Sequence, residues 1–173
     1  MNFDWQGELG VAASDQPVMP GEFYCTVETT ILSSVLGSCI AVCLWDSVRK
    51  LGGMSHFVLP RAPEGLVSAR YGDVAITCLR NGLARLGAGA EALEARVFGG
   101  ADVLAFSSHP SVAADNVALA LDCLHAYLIP VTAQRTGGKR GRMIKFHTGT
   151  GEVFVRPIPV SRVIHAAGPE RAA

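Results

Sequence analysis

Ile40-Ala41-Val42-Cys43-Leu44-Trp45 is an unbroken apolar run, Asp46-Ser47-Val48-Arg49-Lys50 is a mostly polar break, and Leu51-Gly52-Gly53-Met54-Ser55-His56-Phe57-Val58-Leu59 is a second apolar-rich run closed by Pro60. Two short runs around a short break predict a β-hairpin. Apolar residues at successive rather than alternate positions predict strands covered on both faces, and so a sheet with a layer on each side. With a four-residue loop at Asp46–Arg49, Trp45 faces Lys50, Cys43 faces Gly52 and Cys39 faces His56. Directly opposed residues share a face, with Cβ atoms roughly 4.5–5.5 Å apart. That spacing suits a contact between thiol and imidazole. A slip of one residue would send the two side chains to opposite faces, and Gly52-Gly53 is where a bulge would cause it.

Outward from the hairpin, Phe23–Val27 and Ile31–Val35 read as strands, and residues 1–20 as a flexible N-terminal arm. Pro60–Ser68 is a loop. Ala75, Ile76, Leu79, Leu83 and Leu86 recur at helical spacing, predicting a helix over 70–87, with Asp73 in its first turn and Gly87 and Gly89 ending it. Ala95–Phe98 is a short strand running into Gly99-Gly100. A second helix is expected over 116–127, with Asp115 or Asn116 as N-cap and Pro130 beyond its end. Val131–Gln134, Met143–Phe146 and Val153–Arg156 read as strands, the last two joined through Thr148-Gly149-Thr150-Gly151. The expectation is one domain over 21–163, a frayed tail over 164–173, and an α+β fold of layered sheets and helices.

Composition narrows the function classes. Hydrophobic residues make up 49% of the 173 positions and charged residues 17%, a core-rich and not a disordered chain. Fifteen basic residues balance fifteen acidic ones, and Lys139-Arg140-Gly141-Arg142 is too short for a basic stripe, so nucleic acid is a poor partner. The N-terminus has no signal-peptide pattern and no stretch has the roughly 18 apolar residues of a membrane span. A cytoplasmic location is expected. Five cysteines, odd in number and scattered in spacing, fit that expectation better than a disulfide framework.

Those cysteines carry the candidate chemistry. Cys25, Cys43, Cys78 and Cys123 read as small buried hydrophobes. Cys39 differs because it follows Leu36-Gly37-Ser38 at the edge of the apolar run. Two readings stay open for it: another core thiol, or a nucleophile served by His56. No cysteine or histidine pairing has zinc-ligand spacing, so neither metal nor cofactor is expected. His109, His125, His147 and His165 read as surface or packing residues. Gly99-Gly100 and Gly137-Gly138 lack the spacing of a nucleotide-binding loop and read as turns or tight backbone contacts.

Leu36-Gly37-Ser38-Cys39-Ile40-Ala41-Val42-Cys43-Leu44-Trp45-Asp46 and Gly52–Pro60, followed by Val97-Phe98-Gly99-Gly100-Ala101, Asp115-Asn116-Val117 and Gly137–Arg142, resemble the chemoreceptor glutamine deamidase family, CheD, in collinear order over roughly 20–158. The resemblance implies a layered α/β sandwich similar to the catalytic domain of cytotoxic necrotising factors. It implies hydrolysis of glutamine side-chain amides on methyl-accepting chemotaxis receptors, without cofactor. It assigns Cys39 as nucleophile, His56 as base, and the hydroxyl six residues before the cysteine as third member. That residue is Ser33 where the family has threonine, with Thr30 and Ser34 as neighbouring hydroxyls. The implied mechanism forms a thiolate–imidazolium pair, and backbone N–H groups of Ser38 and Cys39 hold the oxyanion. The resemblance also implies two partners, the receptor helices and, in some bacteria, a CheC-type phosphatase. The alternative it carries is a non-catalytic module that regulates such a phosphatase.

Overall fold

The computed structural model describes residues 14–103 and 112–159. Nine strands and two α-helices are found among them. In chain order the strands are β1 (Ser14–Pro17), β2 (Glu22–Thr26), β3 (Thr30–Leu36), β4 (Ile40–Asp46), β5 (Leu51–Phe57), β6 (Leu93–Gly99), β7 (Val131–Thr136), β8 (Arg142–His147) and β9 (Val153–Pro157); α1 (Gly72–Arg85) lies between β5 and β6, and α2 (Val112–Ala126) between β6 and β7. One sheet has the order β2-β5-β4-β6-β7 and the other β1-β3-β8-β9.

The apolar run decides this layering. Side chains alternate across a strand, so a strand apolar at every position needs a partner on both faces. Ile40, Val42 and Leu44 of β4 join Ile76, Leu79 and Leu83 of α1 and Ala120 and Leu124 of α2 in one core. Ala41, Cys43 and Trp45 join Leu32 and Leu36 of β3 and Ile144 and Phe146 of β8 in a second. The result is three layers: helices, five-stranded sheet, four-stranded sheet. This is the α+β sandwich expected from the sequence.

The hairpin forms with its register moved by two residues. Asp46 pairs with Leu51, Trp45 with Gly52 and Ala41 with His56. The buried Asp46 carboxylate accepts hydrogen bonds from the backbone N–H groups of Val48 and Arg49, each at 2.9 Å, and its carbonyl accepts from Lys50 N–H, also at 2.9 Å. These bonds keep Asp46 in the strand and make Ser47–Lys50 the loop, with Lys50 at φ 57°. Pairing runs unbroken through Gly52 and Gly53, so no bulge forms there. An even shift preserves the face.

Two other elements differ from expectation. Ser14–Pro17, expected within a loose arm, pairs in parallel with Thr30–Ser33, and Val18 behind it is buried. Helix α2 begins at Val112, so Asn116 stands inside the helix with its side chain buried, and not at an N-cap.

Candidate active site

Cys39 lies one residue before β4 and packs, half-buried, against the core between the sheets. His56 lies opposite Ala41, two residues along, so the two are diagonal neighbours on one face, a separation of roughly 7–8 Å between Cα atoms that long side chains bridge. The imidazole points between the sheets, where its Nδ1 lies 2.8 Å from Ser34 Oγ and 3.1 Å from the Val18 carbonyl oxygen.

That pair of contacts fixes the tautomer. Ser34 Oγ donates its single proton to the Val18 carbonyl at 2.8 Å. Nδ1 faces that same carbonyl, which only accepts, so Nδ1 carries the proton and Nε2 keeps the lone pair. Nε2 is buried and has no hydrogen-bond partner among the described residues. It is the free base on the Cys39 face of the sheet.

The hydroxyl that meets the His56 ring is that of Ser34 and not of Ser33. On β3 the even positions Leu32, Ser34 and Leu36 turn inward, while Val35 is exposed. Ser33 turns outward, and its Oγ donates to Asp15 at 2.8 Å, beside the Lys145–Asp15 ion pair. Ser33, six residues before the cysteine, thus faces away from the imidazole. Thr30 is buried at the start of β3, where its backbone N–H donates to Thr148 Oγ1 at 2.8 Å.

The loop before β4 is held by its carbonyls. Gly37 C=O accepts from Ala101 N–H and Cys39 C=O from Gly100 N–H, both at 2.8 Å, and Ser38 C=O accepts from Asn116 Nδ2 at 3.2 Å. The Cys39 backbone N–H and the Ser38 side chain both hydrogen-bond to the Cys39 thiol. Asn116, Gly99-Gly100 and the Val18 carbonyl are the parts that residue spacing did not reveal.

Electrostatics sets the resting protonation. Burial pushes the Cys39 thiol up from its ordinary value, against smaller lowering effects of the backbone and side-chain hydrogen bonds at Cys39 and Ser38 and of the Arg70 charge. Burial pushes the His56 imidazole down, against the opposing Val18 carbonyl and Glu22 charge. Both directions favour the neutral form of each group. Cys43, wholly buried four residues beyond Cys39 on the same face, is held protonated more strongly still by that burial.

A family profile described as "CheD chemotactic sensory transduction" matches residues 58–157, more than half of the chain. The chain is 47% identical over 150 residues to the probable chemoreceptor glutamine deamidase CheD of Rhodospirillum rubrum, covering 86% of this chain and 85% of that protein. It is 44% identical over 139 residues to the corresponding CheD 1 of Anaeromyxobacter dehalogenans, covering 80% and 81%, and 40% identical over 157 residues to that of Stenotrophomonas maltophilia strain K279a, covering 90% and 79%. Matched along most of its length at these identities, the chain belongs to the CheD family.

Proposed function

We propose that the protein hydrolyses glutamine side-chain amides on chemotaxis receptors to glutamate, through a thioester on Cys39. The observation that carries this reading is the His56 ring: Nδ1 lies against the Ser34 hydroxyl and the Val18 carbonyl, and Nε2 is buried with no hydrogen-bond partner among the described residues, on the sheet face that also holds the half-exposed Cys39 thiol. The names of the relatives, chemoreceptor glutamine deamidases, supply the substrate class.

The steps follow from the resting charges. Cys39 Sγ attacks the glutamine Cδ as its proton passes to His56 Nε2, so no buried ion pair has to exist beforehand. Negative charge collects on the amide oxygen, where the Ser38 and Cys39 N–H groups meet it. The imidazolium returns its proton to the departing ammonia, breaking the C–N bond and leaving an acyl thioester. Water, deprotonated by the same Nε2, adds to the thioester carbon. The thiol leaves with the proton, and the product is glutamate. Beside this loop Val35, Leu36, Gly37, Met143 and Ile158 line an apolar groove with Arg156 at its edge, suited to an amphipathic receptor helix.

Mass spectrometry of a receptor cytoplasmic fragment tests the reading. Incubation with the protein should convert discrete glutamines to glutamates, and protein alkylated with iodoacetamide should leave them as amides. Equal conversion by the alkylated protein, or none by the native one, refutes it.

The same fragment separates the two serines. Ser34→Ala removes one neutral hydrogen bond to Nδ1 and leaves the Val18 carbonyl to hold the tautomer. The expected loss in kcat is about 1 kcal/mol, roughly fivefold. Ser33→Ala should leave kcat as it is, because its hydroxyl serves Asp15 on the outer face.

A further inference from the structure

Asn116 is wholly buried, on the fifth residue of α2, in the middle of a helix where an amide side chain has no local duty. Its Nδ2 donates to two carbonyls far away in sequence: Ser38, at 3.2 Å, and Val58, at 2.8 Å. Ser38 immediately precedes the thiol-bearing residue, and Val58 lies two residues after the imidazole. Its Oδ1 is buried without a hydrogen-bond partner among the described residues, so the polar contacts found for the amide are its two N–H bonds.

The first bond has a consequence set by covalent geometry. In a trans peptide the C=O and the following N–H point in opposite directions, and no cis peptide is found among the described residues. Drawing the Ser38 carbonyl toward α2 turns the Cys39 N–H away from the helix layer, toward the inter-sheet side where the thiol packs. The Cys39 carbonyl is fixed in turn by Gly100 N–H. Both peptide planes flanking the thiol are thereby set, one by a helix side chain and one by the strand end.

We infer that Asn116 is a positioning residue. It aims the Cys39 N–H at the oxyanion and clamps the nucleophile loop to the end of the strand that carries the base, an inference that rests on the deamidase reading. Asn116→Ala should lower kcat on the receptor fragment about 10- to 100-fold with KM nearly unchanged, as for loss of an oxyanion donor. Alkylation of Cys39 by iodoacetamide, a displacement that develops no oxyanion, should proceed at close to the native rate. Asn116→Asp keeps the outline of the side chain and offers a donor only when protonated, which burial favours. Its activity should therefore rise as pH falls across the range between the two limbs where the native profile is flat. Native kcat in either folded variant, or kcat and alkylation falling together, overturns the inference.

The peptide-plane part has its own readout. The backbone amide NMR signals of Ser38 and Cys39 should move in Asn116→Asp more than those of β6, and unmoved signals overturn it. If the native protein leaves every receptor glutamine intact, the deamidase reading falls while these signals still judge the clamp.

Discussion

Cys39→Ala should fold normally and leave receptor glutamines intact, and His56→Ala should retain about one thousandth of the native kcat, the usual worth of a positioned general base. The residual activity of His56→Ala is the more informative. Without Nε2 only solvent can take the thiol proton, and burial holds that thiol above its ordinary 9.0. The rate in this variant should climb with pH through and beyond 9. The native profile should instead be broad. Its kcat/KM requires one proton shared between thiol and imidazole, so the acid limb follows His56, below its ordinary 6.5, and the alkaline limb follows Cys39, above 9.0. Stability carries the same sign. Folded His56 takes a proton less readily than the unfolded chain does, so the unfolded state binds more protons as pH drops from 6.5 toward the folded value, and stability is lost over that window. Urea midpoints measured across it should fall with pH, and fall less in His56→Ala. A native kcat/KM limb centred at or above 6.5 would place the base elsewhere.

The residues that bring thiol and imidazole to one face were legible because the signal is local: six apolar positions, a polar break and a second apolar run specify a doubly covered hairpin. The register was legible only to parity. What moved it by two was the Asp46 carboxylate capping its own turn, a side-chain choice that competes with other four-residue loops at small energy differences. The third hydroxyl was not legible. Whether Ser33 or Ser34 turns inward depends on the phase of β3, and that phase is set by pairing with β8, more than a hundred residues away, and by the parallel strand β1. Asn116 looked like a cap because Asn and Asp before an apolar run usually are caps. Its real partners, two backbone carbonyls in distant loops, leave no trace in side-chain spacing. The Val18 carbonyl is still less visible, since any residue type supplies one.

Gly99→Ala is expected to cost both stability and activity, and the two losses have separable causes. Gly99 ends β6 at φ 112°, where an L side chain is strained, and a Cβ there would stand 2.1 Å from the Cys39 carbonyl oxygen and 3.2 Å from Ile40 Cα. The obstacle is backbone on a buried strand, so no rotamer change relieves it. The Cys39 peptide must shift, and the Gly100 N–H bond that anchors its carbonyl shifts with it. Strain of this kind costs about 1–3 kcal/mol before the displaced hydrogen bond is counted, and a melting temperature roughly 5–10 °C lower is expected for a chain of this size. Displacement of a nucleophile by about 1 Å is worth on the order of a hundredfold in rate. Gly87→Ala separates the two effects. Gly87 also has a positive φ, 97°, just past the end of α1, but a Cβ there meets no atom within 4 Å. That variant should share part of the melting shift and keep its kcat. Measured well below both melting transitions, Gly99→Ala should still turn over about a hundredfold more slowly than Gly87→Ala. Equal rates would mean that the Cys39 loop tolerates movement and that the glycine serves the fold alone.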